Sequence, residues 1–238
     1  MKNTVLHKAN TRGHANHGWL NAYHSFSFAS WYNPERVQFG TLRVLNDDTV
    51  AAGMGFGTHP HDNMEIITIP LEGDLAHKDS MGNTETIKTG EVQVMSAGTG
   101  IQHSEFNPNH DRHTKLFQIW LFPKTRNVAP RYQQIKLDVR EQKNNFAQIL
   151  SPNADDEGVW IHQDAWFHLA DFDKGFSKTY ELKKAGNGMY VFVISGNITV
   201  DGQELEPRDG LGITDFQTLE IKASTDAKFL LMEIPMEQ

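Results

Sequence analysis

Two pairs of metal-ligand-type side chains, His59/His61 and His103/Glu105, each repeat at a spacing of two within residues 53–107. In an extended strand alternate side chains share a face and lie roughly 6.6 Å apart along the chain. Two imidazoles so placed can converge on one ion at about 2.0–2.1 Å each. If the two stretches face each other in a sheet, three His and one Glu enclose a single metal. Each pair is entered from a glycine-rich turn, Gly53-Met-Gly-Phe-Gly57 and Gly98-Thr-Gly100. Twelve histidines in 238 residues make one His-x-His pair a weak signal, but two pairs about one hairpin apart are poorly explained by chance. Imidazole and carboxylate donors suit Fe(II), Mn(II), Ni(II), Co(II), Cu(II) or Zn(II), with geometry selecting among them. Four protein ligands leave one or two positions open on a five- or six-coordinate ion, whereas a closed tetrahedral zinc leaves none. A chain of this length builds a core without a metal clamp, so the open, reactive site is the preferred reading.

The remaining candidates carry less. His14 and His17 have no third donor at strand spacing and read as structural hydrogen-bonding groups. His77 reads equally as support for the ligands or as a satisfied structural histidine. His110 and His113 sit in a polar run, Asn-His-Asp-Arg-His, that reads as a solvated loop. Phe56, Met64, Met95, Ile101 and Phe106 neighbour the ligands and could line an apolar pocket, although barrel core is the better reading for any one of them.

The elements that must position these groups are short strands. Phe26 and Phe28 alternate and are expected on one buried face of a strand. Leu42–Leu45 reads as a strand closed by an Asn46-Asp47-Asp48 turn. Glu65–Leu71, Asp74–His77, Thr84–Ile87, Val92–Met95 and Leu116–Phe122 follow, separated by Gly-marked turns, which predicts an all-β sandwich or barrel. Residues 136–145 are the most polar connector and the expected linker between domains 1–135 and 146–238. A second β series runs through Phe146–Leu150, Val159–Gln163, Ala165–Ala170, Met189–Ile194, Ile198–Val200, Leu211–Thr214 and Phe229–Ile234. It repeats the first faintly: Leu71-Glu-Gly73-Asp corresponds to Ile194-Ser-Gly196-Asn, and Thr89-Gly90-Glu to Asp209-Gly210-Leu. A duplicated barrel unit follows. Counting back from Gly196 puts Leu182 and Lys184 where the first half has His59 and His61. No histidine follows His168, so the second barrel is expected to lack the metal site.

Composition bounds the rest. With no cysteine there are no disulfides, thiolate ligands or thiol nucleophiles. The first ten residues hold no apolar h-region, and no window approaches a membrane span, so a cytoplasmic protein is expected. A net charge of −8 argues against direct nucleic-acid binding.

Gly53, His59, His61 and Glu65, and then Gly90, Ser96, Gly98, His103 and Asn107, resemble the two motifs of the cupin superfamily. Ser96 stands in place of the usual proline, and two extra residues precede His103. Glu65 falls one position early relative to the closing Gly73. In a regular strand that slip turns Glu65 to the other face and puts Ile66 in the ligand position. The runs Gly57–Glu65, Leu71-Glu-Gly73, Asp79-Ser-Met-Gly82 and Met95–Glu105 are similar to the pirin family. The resemblance implies a bicupin of two tandem antiparallel β-barrels, with His59, His61, His103 and Glu105 as metal ligands and Fe(II) as the expected ion. It further implies a quercetin 2,3-dioxygenase-like oxidoreductase acting on a flavonol and O₂, releasing a depside and carbon monoxide, with Glu105 also serving as base. Two rival implications remain. One is a non-enzymatic, metal- and redox-responsive regulator that binds a protein partner. The other is a cupin isomerase or decarboxylase, which would turn over without O₂. A monomer is expected.

Overall fold

The computed structural model describes residues 2–237. Its first half contains β1 Asn3–His7, β2 Gly13–Asn16, β3 Leu20–His24, β4 Leu42–Val50, β5 Gly55–His61, β6 Glu65–Glu72, β7 Asp74–Asp79, β8 Thr84–Lys88, β9 Glu91–Ser96, β10 Ile101–Phe106, β11 Thr114–Leu121 and β12 Arg131–Lys136. The second contains β13 Ala147–Ser151, β14 Val159–Trp160, β15 Trp166–Phe172, β16 Ser177–Glu181, β17 Asn187–Ser195, β18 Ile198–Val200, β19 Gln203–Leu205, β20 Gly210–Thr214, β21 Thr218–Ala223 and β22 Ala227–Pro235. Each half pairs a seven-stranded sheet with a four-stranded one. The large sheets run β12-β9-β6-β11-β4-β3-β2 and β1-β20-β17-β22-β15-β13-β14; the small ones run β5-β10-β7-β8 and β16-β21-β18-β19. The two orders correspond except at the outer edge, where β2 pairs antiparallel with β3 but β14 pairs parallel with β13, so the chain is an all-β bicupin built by duplication.

One exchange departs from a simple tandem. β1, first in sequence, pairs antiparallel with β20 of the second half, in the slot that β12 fills against β9 in the first. We keep 136–145 as the proposed linker between the barrels; it opens on Lys136, the last residue of β12, and then holds a short 3-10 turn, Val139–Gln142.

The near-continuous apolar strands are those buried on both faces. In β17, Tyr190 and Phe192 join the layer between the large sheets, while Met189, Val191 and Val193 face the second barrel's interior. In β11, Phe117, Ile119 and Leu121 join the same layer as Ile67, Ile69, Phe167, Leu230 and Met232. Gly73 and Gly196 end the equivalent strands β6 and β17 in left-handed backbone (φ 74° and 72°). A Cβ on Gly196 would lie 2.1 Å from the Asp226 carbonyl oxygen, which is why glycine recurs there.

Two local expectations fail. Asn46-Asp47-Asp48 is no turn: β4 runs unbroken through it, paired with β3 on one side and β11 on the other. Asn46 and Asp48 signalled a turn only because the cavity wall they line is itself polar, and Asp47 turns to the other face, where Arg12 and Arg208 pair with it. Phe26 and Phe28 lie beyond the end of β3. Phe26 enters the inter-sheet layer, and Phe28 packs edge-on to Trp120 at 5.4 Å.

Candidate metal centre

β5 and β10 pair directly, with His59 opposite His103 and His61 opposite Ile101. The register then slips between His103 and Glu105, and on the other side of β10 Glu105 stands opposite His77 of β7. The ring nitrogens of His59, His61 and His103 gather within 4.8 Å of one another, and ring centroids are 4.4–4.9 Å apart. Glu105 groups at the same distance with His103 and His77 instead of with His59 and His61. The four residues singled out from sequence therefore fall, together with His77, into two overlapping triads that share His103.

The supporting contacts fix the rings. His59 Nδ1 donates to the Gly57 carbonyl oxygen at 2.8 Å, which leaves Nε2 as the lone-pair nitrogen. His61 Nε2 and both ring nitrogens of His103 are buried without a hydrogen-bond partner in the protein. Orphaned buried nitrogens converging on one point are what an ion-free view of a metal site presents, since buried polar groups otherwise find partners. Burial, with His59 adding, lowers His61 to about 4. Burial together with His59, His61 and His77 holds His103 far below its ordinary value. Both are neutral donors at physiological pH. Three imidazoles and a nearby carboxylate fit a divalent first-row transition ion.

Glu105 is fully enclosed, and burial raises its carboxyl to about 7 against the opposing pull of Gln118. Gln118 Nε2 donates to both carboxyl oxygens, at 2.8 and 3.0 Å, while Trp120 Nε1 donates to Gln118 Oε1 at 3.3 Å. His77 Nε2 donates to Asp79 Oδ2 at 3.2 Å, and Asp79 is itself held by the Met81 and Asn83 amides. Glu65 turns away, as the slip in spacing implies: it is buried, accepts from Ser96 Oγ at 2.6 Å, and is raised to about 7 by burial. Ile66 packs with Met95, Ala97 and Ile101.

A cavity of about 260 Å³ opens beside the three histidines. Its apolar wall comes from Leu20, Ala22, Phe28, Phe56 and Trp120, and its polar wall from His24, Asn46, Asp48, Glu105 and Gln118. Of the apolar candidates taken from sequence only Phe56 lines it. Met95 and Ile101 pack beneath, Met64 packs against them, and Phe106 faces outward, 46 % exposed. The alternations Leu20-x-Ala22-x-His24, Asn46-x-Asp48 and Gln118-x-Trp120 were the available signal for the residues that sequence reasoning missed. His14 bonds Asn21 and stacks on Tyr23, a structural role as expected, and His110 and His113 are exposed.

Among its described residues the second barrel shows no such ligand group. With Gly73 and Gly196 aligned, cross-strand pairing puts Leu219 at the place of His103, Ile221 at Glu105 and Val200 at His77. The positions of His59 and His61 fall on Tyr180 and Leu182, not on Leu182 and Lys184. Counting along the chain missed by two because the connection from β16 to β17 is longer than that from β5 to β6.

Residues 5–121 match the pirin family profile, and residues 148–234 match that of the quercetinase C-terminal cupin domain. A quercetin 2,3-dioxygenase of Escherichia coli K12 is 45% identical over 230 residues, covering 97% of this chain and 98% of the relative. The chain belongs to the pirin family. A pirin-like protein of Caulobacter vibrioides is 40% identical, covering 93% of this chain and 95% of that protein. The crystal structure of bacterial pirin YhhW from E. coli in complex with nickel(II) superposes with a TM-score of 0.92 at 44% identity, covering 98% of this chain and 99% of that one. The chain is thus a quercetin 2,3-dioxygenase-like member of its family, with a His/Glu group suited to a single divalent metal. No helix in the described residues is long and apolar enough to cross a membrane.

Proposed function

We propose that this protein is an oxidoreductase that cleaves a flavonol such as quercetin with O₂, giving a depside and carbon monoxide. The observation that carries the reading is the convergence of three histidines, His61 and His103 with unpartnered buried nitrogens, beside an enclosed carboxyl at the base of a largely apolar cavity. His59, His61, His103 and Glu105 are the proposed ligands, and iron(II) the proposed ion. When bound, such an ion supplies Lewis-acid polarisation of substrate oxygens and redox partnership with O₂.

The chain's own residues do the remainder. Glu105, enclosed in the site and open to the cavity, can take the proton of a flavonol 3-hydroxyl and carry it sheltered from water. Gln118 holds that carboxyl by both oxygens, so it keeps one orientation as its charge changes. Phe28, Phe56 and Trp120 offer flat apolar surface to a planar ring system, and Leu20 and Ala22 exclude water from it.

The test is metal-stripped protein reconstituted in turn with iron(II), nickel(II), manganese(II), cobalt(II), copper(II) and zinc(II). Loss of quercetin absorbance, O₂ uptake and carbon monoxide release are followed together. One O₂ consumed per flavonol lost, with at least one metal, is the expected result. Turnover that persists without O₂, or no turnover with any metal, overturns the reading.

A further inference from the structure

The large sheet of the first barrel carries a transverse polar row, of which His24, Asn46 and Gln118 line the cavity. His24, Asn46, Gln118 and Thr68 are successive in-register neighbours across β3, β4, β11 and β6. His24 Nδ1 and Asn46 Oδ1 satisfy one another at 2.8 Å, and Gln118 is engaged with Glu105. One step along the strands, Asp48 stands between Ala22 and Leu116, both buried and apolar. Its side chain is 3 % exposed and lines the cavity, and its Oδ1 has no hydrogen-bond partner in the protein. An isolated carboxyl between apolar neighbours contributes nothing to a barrel wall. The duplicated barrel supplies the control: with Gly73 and Gly196 aligned, the position of Asp48 is taken by Ala170, buried in apolar core.

We infer that Asp48 is a specificity-determining residue that hydrogen-bonds a substrate hydroxyl other than the oxygens directed at the metal. The assignment rests on the flavonol reading above and narrows it to polyhydroxylated flavonols. Asp48 lies on the wall formed by β3 and β4, whereas the three histidines come from β5 and β10 of the facing sheet. A planar ligand engaged at the histidines by one edge would present its far hydroxyls to Asp48, with Phe28, Phe56 and Trp120 around its rings.

Quercetin and 3-hydroxyflavone separate the contributions, because both carry the 3-hydroxyl and 4-carbonyl but only quercetin has further hydroxyls. Binding is measured without O₂ on metal-loaded, full-length protein, followed by turnover in air, for wild type, Asp48→Ala and Asp48→Asn. Wild type is expected to prefer quercetin by about 10–100-fold, the value of one buried hydrogen bond to an ionisable group. In Asp48→Ala that preference collapses to within a few-fold, and Asp48→Asn, which keeps a polar side chain, falls between. Melting temperature serves as the structural readout: both variants melt at or above wild type, because an unpartnered buried carboxyl is removed. A wild type without preference, variants that keep the wild-type ratio, or variants that melt several degrees lower each overturn the assignment. If wild type neither binds nor cleaves either compound, the flavonol reading itself has failed and this assignment falls with it. Cleavage of both compounds with an unmoved ratio refutes Asp48 alone.

Discussion

Replacing His103 by leucine separates a residue kept for a ligand from one kept for packing. His103 is 2 % exposed at the centre of β10, and neither ring nitrogen has a protein partner. An unsatisfied buried polar group costs about 1–3 kcal/mol, so without metal the imidazole is a burden on the fold. His103→Leu should therefore raise the stability of metal-stripped protein by about 1–3 kcal/mol. For a protein of this size that corresponds to roughly 2–12 °C in melting temperature. Metal reverses the order. At about a thousandfold excess over its Kd, an ion that binds only the folded state stabilises wild type by about 4 kcal/mol, and the variant forfeits that gain. The assay is thermal unfolding of chelator-treated wild type and variant, each with and without iron(II) or nickel(II), alongside metal content by mass spectrometry. A metal-free variant that melts below metal-free wild type would refute the reasoning. So would a wild type whose melting ignores every divalent ion tried.

Three further outcomes follow from the same geometry. Glu105→Gln should keep the three imidazoles and measurable metal while lowering flavonol turnover by about 10²–10⁴-fold, the usual contribution of a positioned base; near-wild-type kcat at full metal occupancy would exclude that role. Gln118→Leu deletes the donor that holds both Glu105 oxygens, so flavonol turnover should fall about tenfold or more at unchanged metal content, and an unchanged kcat would show that Gln118 does not position that carboxyl. Glu65 is distant in role, buried and raised to about 7, above its unfolded value near 4.5. Its proton-linked stability is therefore complete below about pH 4.5 and lost as pH rises through 7, amounting to about 3 kcal/mol. Glu65→Gln should remove that loss, which denaturant titrations at pH 5 and pH 8.5 would measure; equal pH sensitivity in wild type and variant would contradict it.

What could be read from the sequence was what alternation and local turns encode. The paired histidines, the apolar runs of β11, β17 and β22, and the recurrent glycines at 73 and 196 declare themselves within a few residues each. The polar cavity wall did not, because nothing local distinguishes Asn46 and Asp48 from turn residues. Their place in β4 is fixed by Gln118 and Leu116 on one side and by His24 and Ala22 on the other, all distant in sequence. The split of Phe26 from Phe28, and the two-residue offset of the second barrel's equivalents, likewise depend on where strands end, which composition describes poorly. Glu105 is an intermediate case. The sequence supplied its spacing from His103, but not the register slip that sets it beside His77 and Gln118.

The duplication explains how the first barrel tolerates such an interior. Its inner face holds Asp48, Thr68, His77, Gln93, His103, Glu105 and Gln118, all buried, several with unpartnered atoms. The matching face of the second barrel is filled by Val191, Val193, Val200, Leu219, Ile221, Phe229 and Leu231. The two are not independent, because the outer faces of their large sheets merge into one apolar layer running from Ile67 and Phe117 to Phe192 and Leu230. Arg12, in the loop after β1, and Arg208, in the turn before β20, both pair with Asp47, on the opposite face of β4 from Asp48 and Asn46. Stability gained in the apolar barrel and its shared layer thus offsets the strain of carrying unpartnered polar groups in the other. On this account the second barrel needs no ligands of its own: it backs β4 and β11 through the shared apolar layer, so that the wall facing the three histidines can be built for recognition instead of for packing.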